Sequence, residues 1–331
     1  GTKLGYALSL AVWSLAAIGH ALARSTFGFG VARAVLGLSE AGNFPAAIKT
    51  VAEWFPKKER ALATGIFNSG SNVGAIIAPL VVPWIAITWG WQEAFIITGA
   101  IGFLWLILWF IYYEVPAKQK RLSQVEFAYI HSDADSLTPD SGKSVSWLKL
   151  LGFKQTWAFV IGKFMTDPVW WFLLFWLPSF LKTEYGMTGT KVGLPIALVY
   201  VMTTFGSIGG GWISGYLIRK GWPVYRARKT SMLGFALCVL PVVSAQALGA
   251  VSPWLAIIVI GIAASAHQAW SANIFTTVSD MFPKKAVGSV VGIGGMAGAI
   301  GGLLISWFTG LILDHYKVLG HIQTGYYILF I

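Results

Sequence analysis

The stretch that decides the fold runs from Ala32 to Arg60 and reads ARAVLGLSEAGNFPAAIKTVAEWFPKKER. Most of its residues are small and apolar, which is typical of a membrane helix, yet Arg33 and Glu40 lie inside it. The apolar part ends at Pro56, and four charged residues follow. Because a charge at bilayer depth is costly, we expect Arg33 and Glu40 to face protein or water rather than lipid.

The composition of the whole chain indicates an integral membrane protein built of helices. Of the 331 residues, 56% are hydrophobic and 11% are charged, whereas soluble domains carry about 25% charged residues. Spans of about 20 apolar residues are long enough to cross a bilayer, and at this length only helices satisfy their own backbone in lipid. The full spans predicted are 4–22, 26–50, 61–84, 92–113, 157–181, 192–217, 230–249, 253–277 and 286–313, and a further one begins near 324.

Positive charge is distributed unevenly between the two ends of these spans. If the loop at 50–60 is cytoplasmic, 17 of the 24 Lys and Arg residues lie on the cytoplasmic side, four on the opposite side and three within spans. This bias follows the positive-inside rule and predicts the topology. The net charge of +11 therefore indicates a lipid bilayer as the partner of the chain, not a nucleic acid.

An internal repeat extends the opening stretch to the rest of the chain. Residues 53–58, EWFPKK, return as DMFPKK at 280–285, which is 227 positions later. Because both copies lie in cytoplasmic loops, the repeats run parallel, as the two halves of a major facilitator transporter do. At this offset the predicted spans 157–181 and 192–217 have no counterpart, because theirs would fall before residue 1, and the counterpart of 92–113 would run past residue 331. We therefore expect a twelve-helix fold from which the first two helices and most of the last are missing.

Three parts of the chain follow from this offset. Residues 1–113 are expected to form the remainder of an N-terminal bundle (helices 3–6), 114–156 a cytoplasmic linker, and 157–331 a C-terminal bundle (helices 7–11 and the start of 12). In the linker, Ser123 and Glu126 match a capping box, which predicts a short surface helix. Residues 133–142 predict a flexible connection.

Arg33 and Glu40 are the first candidates for a functional site. They are seven residues apart, about two helical turns, so both project from one face. Arg33 suits a carboxylate clamp, because a guanidinium stays charged and binds carboxylates with two parallel hydrogen bonds. Glu40 suits a proton carrier, because substrate binding beside it would change its protonation. The alternative is a structural ion pair inside the bundle.

The repeat offset places His267 opposite Glu40. His267 and Trp270 share a helix face, and Gln268 and Asn273 flank it. An aromatic ring beside imidazole and amide groups suits a polyhydroxylated ligand, although interhelical hydrogen bonds are the alternative. We expect Arg33 and Glu40 to form one half of an acid-binding site near the midplane, and the surroundings of His267 to form the other.

Two further groups of residues complete the predicted site. Asp167 lies four residues after Lys163 and directly before Pro168, where the helix should break or kink. We predict that Asp167 takes part in proton coupling and that Trp171 contacts substrate, with a structural bridge as the alternative for the charged pair. Two amides four residues apart face either the cavity or a neighbouring helix, and they are Asn68 and Asn72.

These segments resemble the anion:cation symporter family of the major facilitator superfamily, and most closely its bacterial hexuronate transporters. The resemblance is carried by 1–7, 33–40, 53–60, 167–171 and 266–269, and it covers essentially the whole chain. It implies proton-driven uptake of glucuronate or galacturonate across the bacterial inner membrane, by a monomer, through alternating access. It also implies that Arg33 and Glu40 match the Arg and the acid of the family's fourth helix. The loop 215–229 lacks the Asp that is common in the superfamily's cytoplasmic motif.

Two other functions remain open at this stage. The same architecture could move another organic anion, such as an aldonate, a tartrate or an aromatic acid, or it could serve as a membrane sensor that binds without transport. The sequence contains one cysteine, no Cys/His cluster with metal-ligand spacing and no nucleophile elbow. We therefore expect no catalytic residue, no metal, no cofactor and no enzymatic activity.

Overall fold

The computed structural model describes residues 1–132, 146–187 and 189–331, and these residues form helices and connecting turns without any strand. The predicted helical membrane fold is therefore confirmed. The α-helices of the described residues are α1 (Thr2–Gly19), α2 (Thr26–Glu40), α3 (Asn43–Trp54), α4 (Lys57–Thr88), α5 (Trp91–Tyr112), α6 (Gln124–Ile130), α7 (Trp147–Leu151), α8 (Lys154–Tyr185), α9 (Gly193–Arg219), α10 (Val224–Val239), α11 (Ala245–Val251), α12 (Pro253–Met281), α13 (Lys284–Val318) and α14 (Ile322–Phe330).

Most of the predicted spans coincide with single long helices. Over the described ranges, seven helical segments are long and apolar enough to cross a membrane. An eighth is counted if Lys57–Ala78 and Val81–Thr88, which meet at 42°, form one span. The predicted span 230–249 is less regular, because a 3-10 turn with Pro241 near its start separates α10 from α11.

The predicted span 26–50 is wrong as a single helix. It consists of α2 and α3, which are 15 and 12 residues long and meet at Ala41 and Gly42. Pro45 gives the physical reason, since its nitrogen cannot donate to the carbonyl of Ala41 and its ring crowds that carbonyl. A Cβ on Gly42 would overlap the Ser9 hydroxyl of α1, so the glycine allows the junction of α2 and α3 to approach α1 closely.

The helices group into two units. One unit comprises Gly1–Pro56, Ile77–Ser146 and Phe282–Gly292, and the other comprises Lys57–Ile76, Trp147–Met281 and Ile293–Ile331. Helices α4 and α13 therefore each contribute to both units. The three-part division at 113/114 and 156/157 stays a prediction.

In the first unit, α1 packs against α2, α3 and α5. Small residues bring α1 and α5 together, since a Cβ on Gly102 would overlap the hydroxyl of Ser14. His20, at the end of α1, is buried and stacks on the ring of Phe95, with 5.0 Å between centroids and 8° between planes. This unit carries Arg33 and Glu40.

In the second unit, α12 is the central helix and packs against α8, α9, α10 and α11. Of the candidate spans it has the largest buried share, 67%. The hydrophobic core beside α12 combines aromatic and aliphatic side chains from six helices. Its buried members are Phe172, Leu173, Leu177, Phe180, Leu181, Val199, Ala245, Ile257, Ile260, Ala264, Leu313, Tyr326 and Phe330.

Glycines set the spacing of the helices in this unit. On α9, a Cβ on Gly206 or Gly210 would overlap Ser265 or Ala269 of α12. On α13, a stripe of glycines faces α8 in the same way, and a Cβ there would overlap α8 atoms. The members of this stripe are Gly294, Gly298, Gly301 and Gly302.

The linker helix α6 begins at the predicted capping box. The Ser123 hydroxyl accepts a hydrogen bond from the Glu126 amide at 3.2 Å, and the Glu126 carboxylate accepts one from the Ser123 amide at 3.0 Å. The Ser123 hydroxyl also donates to the Glu126 carboxylate at 2.8 Å. The bonds that this carboxylate accepts, first from the amide and then from the hydroxyl of Ser123, hold the pKa of Glu126 below its usual value. The capping box is thus confirmed, while the predicted flexible connection at 133–142 lies outside the described residues.

Candidate substrate site

Arg33 and Glu40 both lie on α2, and both side chains are exposed. Two turns of helix separate them by about 10 Å along the axis. Among the described residues, neither takes part in an ion pair within 4.0 Å. The structural ion pair that was the alternative for these residues is therefore absent from the described contacts, and both groups are open to a ligand or to solvent.

His267 lies at the centre of a polar cluster in the second unit. It is 6% exposed, and its Nε2 lies 2.9 Å from the carbonyl oxygen of Thr166 on α8. Because a carbonyl only accepts, Nε2 carries a proton, and in the neutral ring Nδ1 then has a lone pair. Nδ1 has no hydrogen-bond partner in the described part of the chain. The ring stacks parallel to Trp170, with 6.1 Å between centroids and 9° between planes.

Lys163 and Asp167 form an ion pair one helical turn apart on α8. The Lys163 Nζ lies 2.6 Å from Asp167 Oδ1 and 4.2 Å from the centroid of the Phe275 ring on α12. Pro168 follows, and α8 continues as one helix to Tyr185, so of the predicted break or kink the break is absent. The carbonyl that Pro168 deprives of a partner belongs to Phe164.

Asn68 and Gln268 bind each other rather than pointing into open space. Asn68 Nδ2 donates to Gln268 Oε1 at 2.6 Å and lies 3.3 Å from the Ser207 hydroxyl, so three helices meet there. Asn68 is 4% exposed. The alternative of interhelical hydrogen bonding thus describes this pair, and sequence reasoning did not single out Ser207 because a serine in an apolar helix has many partners available.

Asn72 and Asn273 are both fully buried. Asn273 Nδ2 donates to the Gly210 carbonyl at 3.0 Å and to the Ala269 carbonyl at 2.9 Å, while its Oδ1 accepts no hydrogen bond from a described residue. Neither amide atom of Asn72 has a hydrogen-bond partner among the described residues. A buried amide without a partner is costly, so these atoms mark places where a water or ligand would be favourable.

The predicted tryptophans lie in different surroundings. Trp171 fits against Gly302 of α13 and stacks on Phe175, with 5.6 Å between ring centroids. Trp270 is partly buried and lies near Gly162 of α8. The aromatic ring on His267 is that of Trp170, which neighbours the predicted Trp171 but points in a direction about 100° away around α8.

A charged network at the end of α12 was not predicted. The guanidinium of Arg228 bonds Asp280 Oδ2 at 3.1 Å, the Ser214 hydroxyl at 2.7 Å and the Lys57 carbonyl at 2.9 Å. Arg228 is 2% exposed, and Arg60 lies 3.6 Å from the other oxygen of Asp280. The loop 215–229 lacks its own acid, and Asp280 of α12 supplies one to Arg228.

Within the described residues, no group of three or more His, Cys, Asp or Glu side chains could hold a metal ion. The polar groups instead lie inside long apolar helices, next to glycine-lined helix contacts. Such an arrangement is that of a multi-pass helical membrane protein which binds a small polar molecule.

Comparisons with known proteins agree with this class. The family model described as Major Facilitator Superfamily matches residues 1–306. The hexuronate transporter of Escherichia coli (strain K12) is 34% identical over 317 residues, which are 95% of this chain and 73% of that protein. The galacturonate transporter of Dickeya chrysanthemi is 36% identical over 214 residues, or 64% of this chain and 62% of that protein.

A solved structure supports the same fold. The proton:xylose symporter XylE, bound to 6-bromo-6-deoxy-D-glucose, is similar to this chain with a TM-score of 0.68 at 16% identity. The similarity covers 100% of this chain and 77% of XylE. The protein is thus a multi-pass membrane transporter for small molecules and not an enzyme. It belongs to the major facilitator superfamily.

Proposed function

We propose that this protein is a proton-coupled symporter that imports a sugar acid, specifically a hexuronate, across the bacterial inner membrane by alternating access. The observation that carries the proposal is the 34% identity to a hexuronate transporter over 95% of the chain. The placement of charged and polar side chains within apolar helices supports it, because such residues usually mark substrate and ion pathways in membrane proteins.

Arg33 is the proposed clamp for the carboxylate of the sugar acid. Its side chain is exposed on α2 and forms no ion pair with a described residue, so its donors are available. A guanidinium offers two parallel N–H groups to a carboxylate, which a lysine ammonium does not. Arg33 would therefore select acids over neutral sugars.

The proposed contacts to sugar hydroxyls come from buried polar atoms without partners. The lone pair on His267 Nδ1 suits a hydroxyl donor, and the amide of Asn72 suits both a donor and an acceptor. A hydroxyl-rich ligand would satisfy atoms that the described residues leave unsatisfied. The aromatic ring of Trp270 would cover an apolar ring face, and the remaining proposed contacts are Asn68, Trp171, Gln268 and Asn273.

Glu40 and Asp167 are the proposed proton carriers. Each is a carboxyl group within or at the end of a membrane helix, and acidic residues there usually mark ion pathways. A proton that enters with the acid would offset its negative charge. The protein is proposed to do this as a monomer.

The test is uptake by the complete protein in proteoliposomes with a panel of acids at set pH gradients. We expect glucuronate or galacturonate to accumulate when the outside is acidic, and neutral hexoses to stay at equilibrium. If an aldonate, a tartrate or an aromatic acid accumulates in preference to hexuronates, that anion is the substrate and the hexuronate assignment is wrong. Binding without any exchange of labelled acid would indicate a sensor and contradict transport.

Two substitutions test the proposed roles on α2. Glu40→Gln should abolish gradient-driven accumulation and leave counterflow of labelled acid, since exchange needs no net proton movement. Loss of both activities would contradict a purely coupling role. Arg33→Lys should raise the KM for carboxylates by about tenfold, because one bidentate contact is worth about 1–2 kcal/mol, and an unchanged KM would contradict the clamp.

A further inference from the structure

Lys163 is a buried cation on α8 that is held by a single carboxylate. Its side chain is 6% exposed, and the ammonium lies 2.6 Å from Asp167 Oδ1 with the face of Phe275 at 4.2 Å. A ring face is a weaker partner for an ammonium than an anion is. The buried ammonium of Lys163 is therefore stabilised mainly by Asp167, or by another carboxylate that takes the place of Asp167.

Asp167 is the more accessible partner of the pair. Its side chain is 18% exposed, three times the value for Lys163. Its second oxygen, Oδ2, lies against Gly298 of α13, where a Cβ would overlap it. Because a glycine occupies that position, the carboxyl group has room there, and Oδ2 rather than the paired Oδ1 is the atom that can take a proton.

The surroundings of the pair include the titratable side chains of His267 and Tyr200 and an acceptor without a partner among the described residues. His267 on α12 lies in the electrostatic field of both Lys163 and Asp167, and its buried Nδ1 has no partner among the described residues. On α9, Tyr200 contacts the ring of Trp170. On α13, the backbone at the glycine stripe faces α8. An unpartnered acceptor beside an ion pair suits a ligand with both a hydroxyl and a carboxylate.

A sugar acid at this cluster meets an electrostatic conflict. The pair is neutral before binding, and a second carboxylate beside Asp167 would be repelled, since two neighbouring carboxyl groups do not both stay ionised. A proton on Asp167 removes the repulsion and frees the Lys163 ammonium. The cluster is then neutral both before and after the acid binds.

We propose that Lys163 binds the substrate carboxylate in exchange for Asp167, which takes up one proton from water as the ion pair opens. The N–H···O contact from Lys163 to Asp167 breaks, and one from Lys163 to the substrate forms. The proton from a hydronium ion forms an O–H bond on Asp167, and release of substrate and proton inside restores the pair. The proposal rests on the proposed function, and it makes Lys163 a second cation, besides Arg33, that binds the substrate carboxylate.

The first test is Asp167→Asn in the complete reconstituted protein. The amide oxygen still accepts a hydrogen bond from Lys163, but it takes up no proton. We expect counterflow to stay within about threefold of the unaltered protein and accumulation driven by a pH gradient to be lost. Proton uptake on substrate binding, measured with a pH indicator in weak buffer, should fall by about one per substrate. Unchanged accumulation or unchanged proton uptake would overturn the proposal.

A second variant exchanges the two residues, Lys163→Asp with Asp167→Lys. The swapped pair keeps its i,i+4 spacing and its neutrality, so a merely structural bridge would preserve transport. We expect counterflow to fall at least about tenfold, because the ammonium is moved one turn along α8 and no longer lies over Phe275. Counterflow at the unaltered rate would overturn the proposal even if Asp167→Asn fails to fold.

The control removes an ion pair at the surface. Lys3 and Glu114 lie 3.0 Å apart and are each about one-third exposed, so Lys3→Gln with Glu114→Gln should leave accumulation and proton uptake unchanged. The two proposals fail separately. If the unaltered protein does not accumulate sugar acids, the proposed function is wrong. If it does and Asp167→Asn does so equally well, the ion-pair exchange alone is wrong.

Discussion

The two copies of the acid-x-Phe-Pro-Lys-Lys motif differ in the partners of their acids. In the first copy, Glu53 accepts hydrogen bonds from the Tyr113 hydroxyl at 2.7 Å and the Thr2 hydroxyl at 2.9 Å, and Lys49 lies 3.8 Å away. In the second, Asp280 is paired with Arg228, whose guanidinium is almost fully buried. One acid is held mainly by neutral groups and the other by buried cations.

The two copies of the repeated motif thus have equivalent positions in the sequence repeat, but the charges around their acids differ. A carboxylate with neutral donors loses modest hydrogen bonds when it is replaced. A carboxylate beside a buried guanidinium leaves an uncompensated charge when it is replaced. We therefore expect that replacing Asp280 lowers the free energy of unfolding much more than replacing Glu53 does.

The largest expected effect comes from Asp280→Asn. The free energy of unfolding should fall by about 3–5 kcal/mol, because the buried guanidinium of Arg228 loses its carboxylate. Denaturant unfolding of the purified protein in detergent measures it. Glu53→Gln is the matched control, with an expected loss of about 1 kcal/mol, and equal losses for both variants would refute the comparison.

The next effect comes from Arg228→Lys, which keeps the positive charge and removes the planar guanidinium with its several N–H donors. One ammonium does not reach Asp280, Ser214 and the Lys57 carbonyl at the same time, so we expect a loss of about 1–3 kcal/mol in the same unfolding measurement. Lys49→Met, beside Glu53 and partly exposed, is the control and should change stability by less than about 1 kcal/mol. A tolerated Arg228→Lys would mean that charge alone matters there.

A smaller effect is expected for Tyr113→Phe in the first copy. The change removes the donor of the 2.7 Å hydrogen bond to Glu53 and leaves Thr2 and Lys49 in place. The expected loss is about 0.5–1.5 kcal/mol, again from denaturant unfolding. A loss as large as that of Asp280→Asn would show that the first copy is not held by weak neutral contacts.

The smallest effect concerns Glu126, an acid at the surface. Its pKa is lowered by hydrogen bonds from Ser123, so the cap stabilises α6 above the usual pKa of a glutamate and is lost as pH falls through the lowered value. Amide hydrogen exchange in the first turn of α6, corrected for its intrinsic pH dependence, should show protection at pH 6 and less at pH 3. Glu126→Gln should remove this pH dependence, and its persistence would assign it to another group.

Much of the fold and part of the site follow from sequence, because the deciding properties are local. Apolar length predicts the long helices, and the Ser123–Glu126 spacing predicts the start of α6 to the residue. The break after Glu40 was missed because the effect of Pro45 is exerted four residues earlier, on a carbonyl that the hydrophobic pattern does not reveal. The sequence did not indicate that Trp170 stacks on His267, because adjacent residues on a helix point in different directions and sequence alone does not say which direction faces His267.

By itself, the sequence determined that this chain is a helical membrane protein with two parallel repeats and with charges inside its apolar spans. These properties follow from the cost of exposing backbone and charge to lipid, which each residue contributes wherever its helix lies. The tertiary structure decided which polar groups of different helices meet, namely Asn68 with Gln268 and Arg228 with Asp280. Partner choice depends on how closely two helices approach, and in this protein glycines on facing helices set that distance.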